Sequence, residues 1–121
     1  MPHLHELRVF QAAKDLSTAV YRLTLDEPLA RHFGLVNQLR CAAVSIPSNI
    51  AEGYGLATRA QLIRGLRIAL GSARELEVQL EIVGRLSLAE KETLAALAGR
   101  SHAVIGMLVN MLKSLGSKPT P

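Results

Sequence analysis

Tryptophan is absent from this chain, and aromatic residues of every kind make up 3% of it. Its apolar content, 49% of the chain, is therefore leucine, alanine, valine and isoleucine, a composition suited to packing helices against one another. Cysteine occurs once, at Cys41, which excludes an intrachain disulfide and points to a reducing compartment. No metal-ligand spacing surrounds Cys41, and a small packed residue is expected there. The N-terminus lacks the basic-then-apolar pattern of a leader. The uncharged stretch Ser101 to Leu112 falls well short of the ~18 residues of a membrane span. A cytoplasmic chain with no membrane partner is expected. Also missing are strand-like alternation of useful length, low-complexity tracts and repeats of solenoid period.

Chemistry is equally sparse. Di-iron carboxylate bundles require Glu-x-x-His pairs, and no glutamate here has a histidine three residues on. His3 and His5 sit at the start, and His32 and His102 are isolated. No metal and no cofactor are expected. Gly53-Tyr54-Gly55 is followed neither by a dinucleotide fingerprint nor by a phosphate-loop lysine. No serine stands in an arrangement that marks a nucleophile. An acid pair such as Glu52 with Glu75, helped by arginine, has the groups to cleave RNA, but nothing else supports it. No catalytic residue is assigned.

What is present is helical periodicity over a length of 121 residues, enough for one modest domain. From about Leu4 to Leu25, Val9, Ala13, Leu16, Val20 and Leu23 alternate steps of four and three, one stripe of a helix. Asp26-Glu27-Pro28 ends it. From about Phe33 to Tyr54 the stripe is Val36, Leu39, Ala43, Ile46 and Ile50. It passes through Pro47 without losing register, so a bent but continuous helix is expected. From Thr58, a capping residue, to Leu86 the stripe is Leu62, Leu66, Ala69, Ala73, Leu76, Leu80 and Val83, the seam of a left-handed bundle. Ser87-Leu88-Ala89-Glu90 reads as a capping box opening a fourth helix that runs to about Leu115. That helix is apolar on several sides, which predicts burial against another subunit as well as the core. The fold class is all-α: an antiparallel up-and-down four-helix bundle over residues 1–116, with a Pro-bent second helix and a frayed tail at 117–121, assembled as a homo-oligomer.

Two sets of polar residues stand out. On the third helix Arg64, Arg67, Arg74 and Arg85 fall within about eighty degrees of one another, opposite the leucine seam. They form either a solvated face, partly neutralised by Glu77 and Glu81, or a row of phosphate contacts. The formal net charge of +4 permits a polyanionic partner without demanding one. Around Pro47 lie Ser45, Ser48, Asn49 and Glu52. Proline cannot donate to the carbonyl of Ala43, which needs another donor, and nearby hydroxyls can serve. Asn49 with Glu52 has the spacing of an internal cap. A polar network to Ser72, Gln79 and Glu75 of the next helix is the structural reading.

The strings Gln38-Leu39-Arg40, Ala42-Ala43-Val44-Ser45-Ile46-Pro47-Ser48-Asn49-Ile50-Ala51-Glu52-Gly53 and Ile68-Ala69-Leu70-Gly71-Ser72-Ala73-Arg74-Glu75-Leu76-Glu77-Val78-Gln79-Leu80 resemble the four-helix bundle family of the 23S ribosomal RNA intervening-sequence proteins. The accessory variability determinant of diversity-generating retroelements is a distant relative of that family. The opening Val9-Phe10-Gln11-Ala12-Ala13 and Val20-Tyr21-Arg22-Leu23-Thr24 also fit. The resemblance implies a ring-like homopentamer, an association with RNA, DNA or a nucleic-acid-handling protein, and no established catalytic activity. It marks Gln38, Arg40, Ser45, Pro47, Asn49, Glu52, Gly53, Gly71, Ser72, Glu75 and Gln79. The family pattern often has a basic residue where this chain has Cys41, and an arginine where it has Leu56, deferring to Arg59. Arg40, Arg59, Arg64, Arg67, Arg74 and Arg85 are the expected phosphate contacts. The alternative is an assembly module that recruits a protein partner.

Overall fold

Apolar stripes of period 3.6 leave each helix one face to hide, and four such faces close on a common core. The computed structural model describes residues 3–55 and 58–117. Among them are α1 (Arg8–Leu23), α2 (Phe33–Gly55), α3 (Arg59–Arg85) and α4 (Lys91–Ser114), with single 3-10 turns at Leu4–Glu6 and Leu29–Arg31. Each helix packs on its neighbours in chain order, and α4 closes the bundle against α1. Every residue of the three stripes named for the first three helices is buried.

The ends differ from expectation in informative ways. The first segment is broken at Leu7, whose extended backbone separates the 3-10 turn from α1. Thr58 caps α3 as expected, its side chain accepting from the Gln61 N–H. Ser87 does not open α4. It has a φ of 54° and closes α3: its N–H reaches the Gly84 carbonyl at 3.0 Å and that of Leu88 reaches Val83 at 3.1 Å. These two bonds satisfy carbonyls that the end of α3 leaves free, and Leu88 then buries itself beside Val83. The capping-box reading fails because those carbonyls claim Ser87 first; Glu90 precedes α4 with no side-chain cap. The C-terminus of α4 repeats the motif, with Gly116 at a φ of 78° and Ser117 N–H on the Leu112 carbonyl at 2.9 Å. Ser117, assigned by sequence to the tail, is thus tied to the bundle. Residues 118–121 lie outside the described residues.

Helix α2 runs without interruption through Pro47, which is buried. The Ala43 carbonyl, deprived of its helical donor, has the hydroxyl of Ser17 on α1 at 2.6 Å. The donor therefore comes from a neighbouring helix, and the cost of a proline in mid-helix becomes a bond between helices. Against α3, the same helix approaches backbone to backbone. A Cβ on Gly65 would lie 2.6 Å from the Asn49 carbonyl oxygen and 2.9 Å from the Gly53 Cα. Only glycine fits there.

Helix α4 is long and apolar enough, by length and composition, to cross a membrane. In this fold Leu97, Val104, Ile105, Leu108 and Leu112 are buried in the bundle core, as the core helix of a small bundle requires. Its surplus apolar residues, Met107, Val109, Met111 and Leu115, are half-buried against the same core. The uncovered apolar surface lies elsewhere: Ile68, Val78, Ile82 and Leu86 on and after α3, Val44 and Phe33 on α2, Tyr21 on α1 and Leu25 just beyond it.

Candidate nucleic-acid interface

The α2–α3 crossing gathers most of the polar residues that the sequence singles out. With Gly53 against Gly65 and Ser45 bonded to Ser72, the two helices run antiparallel in a register that sets Gln38 level with Gln79. Ser72 Oγ lies 2.9 Å from Ser45 Oγ, and Asn49 Nδ2 donates to both the Ser45 carbonyl at 2.8 Å and the Ser45 hydroxyl at 2.9 Å. Asn49 therefore turns back along its own helix and does not form an internal cap with Glu52. Two turns beyond Ser72, Gln79 Nε2 donates to Glu75 Oε1 at 3.2 Å. Gln79 is buried, and its Oε1 has no partner among the described residues. Beside the glycine contact, Asn49, Glu52, Gly53, Gln61, Arg64, Gly65 and Ile68 line a cleft of about 50 Å³. That volume admits a water or two and no substrate. No group of three or more potential metal ligands occurs among the described residues.

Sequence reasoning missed Gly65 altogether and marked Gly53 by resemblance alone, with no packing role. Neither glycine is unusual within its own helix. Their spacing to one another across two helices was the only signal, and it becomes visible once the register is known.

The arginines divide into three groups. Arg40 is half-buried on the α1 side of α2. Its Nε donates to the buried Thr24 hydroxyl at 2.8 Å, and its guanidinium lies 3.9 Å from the centre of the Tyr21 ring. This cation–π contact, worth about 1 kcal/mol, clasps α1 to α2 and sits away from the other arginines. Arg59 and Arg67 gather at the C-terminus of α4. Arg67 donates to Ser117 Oγ at 2.7 Å from Nη2 and 3.2 Å from Nε, and a Cβ on Gly116 would meet Arg59 Nη2 at 2.9 Å. Cations are favourable there, where unpaired carbonyls end a helix. Arg64, Arg74 and Arg85 are exposed and make no hydrogen bond or ion pair with any described residue. Glu77 and Glu81 do not neutralise them: Glu77 lies 4.0 Å from His102 Nδ1 on α4, and the other ion pair among the described residues is Arg31 with Glu27.

Cys41 is exposed, contrary to the packed position expected, because it stands on the outer line of α2 with Asn37, Val44 and Ser48. Its Sγ is 3.8 Å from Asn37 Oδ1. Gly71 is exposed as well, with nothing within 4 Å of where a Cβ would stand.

Comparison with known proteins follows the same lines as the motifs. The family described as 23S rRNA-intervening sequence protein matches residues 5–110. The structure is similar to that of a protein of unknown function from the S23 ribosomal protein family of Bacteroides thetaiotaomicron VPI-5482. The TM-score is 0.80 and the identity 25%, over 87% of this chain and 98% of that one. No curated protein sequence matches this chain.

Proposed function

The chain belongs to the 23S rRNA-intervening sequence protein family, and from that premise we propose that it is a non-enzymatic, cytoplasmic homo-oligomer that associates with RNA or DNA through phosphate contacts. The observation that carries this reading is the arginine row of α3. Arg64, Arg74 and Arg85 stand in solvent with no carboxylate of a described residue in contact, and Arg67 shares their face. Planar guanidinium groups pair bidentately with phosphate oxygens, and Arg64, Arg74 and Arg85 are exposed and placed to do so. Helix α3 carries no aromatic side chain on which a base could stack, so the contacts position the backbone and do not read sequence. In an oligomer the row repeats, and a chain of net charge +4 then presents a larger positive field than one copy supplies. The resemblance to ring-forming relatives suggests five copies.

Fluorescence anisotropy with a structured RNA and a duplex DNA tests this. With three or four phosphate contacts, affinity should fall on the order of fifty-fold between 50 mM and 200 mM salt. Replacing Arg64, Arg74 and Arg85 together with alanine should flatten that slope. Absence of binding to either nucleic acid at low ionic strength defeats the proposal. A second reading, recruitment of a protein partner, draws on Phe33 and Leu25, 80% and 63% exposed beside the α1–α2 junction. Co-purification of one stoichiometric protein, unchanged by nuclease and abolished by Phe33→Ala, would favour it.

A further inference from the structure

Gln79 leaves an acceptor without a donor. The residue is 8% exposed, its Nε2 is engaged by Glu75 Oε1 at 3.2 Å, and its Oε1 has no partner among the described residues. Folded proteins seldom leave such a group unpaired, because the hydration it loses on burial is not returned. Covalent geometry keeps the two oxygens close. Gln79 Oε1 shares its carbon with Nε2 and so lies within about 5.5 Å of Glu75 Oε1. Two acceptors, one of them on a carboxylate, therefore stand side by side with no donor to share beyond Nε2 itself.

No cation of the protomer answers them among the described residues. The helical neighbours of Glu75, three and four positions away, are Gly71, Ser72, Val78 and Gln79, none of them basic. Across the crossing, the residues of α2 level with Gln79 and Glu75 are Gln38 and Ala42. Arg40 is held by Tyr21 and Thr24 on the α1 side of α2. Arg74, adjacent in sequence, projects about 100° away from Glu75. Glu27 and Glu77 each have a basic residue within 4.0 Å, whereas Glu75 forms no ion pair among the described residues. The approach is open: Glu75 is exposed, and a Cβ on Gly71, one turn before it, would meet nothing within 4 Å. Just past Gln79, Ile82 is 42% exposed and offers an apolar wall.

We propose that Gln79 Oε1 and the Glu75 carboxylate form a docking site for an arginine side chain carried by a protein partner. The partner's guanidinium donates one N–H to Gln79 Oε1 and another to Glu75, and its alkyl stem lies against Ile82. Guanidinium suits the place better than ammonium. It holds five donors in a fixed fork, and it is weakly hydrated, so seating it beside a buried amide forfeits less solvation. Water has donors for Oε1 but no charge to offer Glu75. The site gives the chemistry of the partner in the second reading above and rests on that reading; it is independent of phosphate binding.

Nuclear magnetic resonance of the full chain tests this, because the Gln79 side-chain amide is its own reporter. The probe is Nα-acetyl-arginine N-methylamide at millimolar concentration. Its citrulline analogue, nearly the same shape and uncharged, is the control at matched ionic strength. The arginine probe should shift the Gln79 Nε2 signal saturably, and the citrulline analogue should not. Glu75→Gln, at an exposed position, should weaken the probe about tenfold. Gln79→Glu should bind it more tightly than the wild type, the reverse of what damage to the fold would do. If that variant fails to fold, Glu75→Gln carries the test alone. A Gln79 signal that ignores the probe, as a bound water alone predicts, overturns the site. So does a signal that moves only with protein concentration, which would put another copy of the chain there. A signal that answers guanosine monophosphate and not arginine would put a base there and overturns the site equally. The second reading stands or falls on co-purification and Phe33→Ala, so the two failures are distinguishable.

Discussion

Gly65 and Gly71 lie less than two turns apart on α3 and answer opposite demands. At Gly65 a Cβ has no room, because the Asn49 carbonyl and the Gly53 Cα of α2 already occupy the space. At Gly71 a Cβ meets nothing. The inner glycine is explained completely within one protomer and the outer one not at all. The two faces of α3 differ in the same way. Inward, toward α2, polar groups find one another: Ser45, Asn49 and Ser72 close a small network. Outward, Ile68, Val78 and Ile82 are left exposed beside Arg64, Arg74 and Arg85, which pair with no described residue. One helix therefore presents two faces, one filled by its own chain and one open to solvent.

The largest effect that would test this contrast is Gly65→Ala. Its new methyl meets backbone atoms that cannot step aside, and we expect a loss of about 3 kcal/mol in chemical denaturation. A loss below about 1 kcal/mol would mean that the helices part easily and that the close crossing is incidental. Next is Ser17→Ala, which leaves the Ala43 carbonyl without its donor and should cost about 1–2 kcal/mol. In a Pro47→Ala background the helix supplies its own N–H, so the same change should cost less. An equal cost in both backgrounds would sever the link between proline and serine. Ser87→Gly should raise stability by about 1 kcal/mol by relieving a left-handed backbone that disfavours a side chain. The smallest effect is Gly71→Ala, a gain of about 0.8 kcal/mol from helix propensity in chemical denaturation. If Gly71→Ala destabilises the protein, the outer glycine has a structural role after all and the contrast dissolves.

Much of the fold was legible because helical burial is periodic. The stripes through Val9 and Leu23, Val36 and Ile50, Leu62 and Val83 needed only a period of 3.6 and the rule that apolar faces hide. The continuity of α2 across Pro47 was legible for the same reason. The need of the Ala43 carbonyl was legible too, as a question about an unpaired acceptor; its answer, Ser17, was not, since a residue on another helix has no local mark. Ser87 misled because serine before an acidic residue three positions on is a start signal, and only the carbonyls at the end of α3 show that it serves as a stop. For the candidate interface, the angular grouping of the α3 arginines followed from spacing. Whether Glu77 and Glu81 neutralise them did not, since rotamers decide that; Arg40 left the group because Tyr21 and Thr24 were within its reach.

By itself the sequence determined which residues turn inward and how many helices they build, because the hydrophobic effect acts on patterns that a linear chain already carries. Only the tertiary structure decided which glycine is crowded, which hydroxyl answers the proline and which arginine a neighbouring ring holds. Those are matters of distance between helices, and distance is set by how four faces pack together.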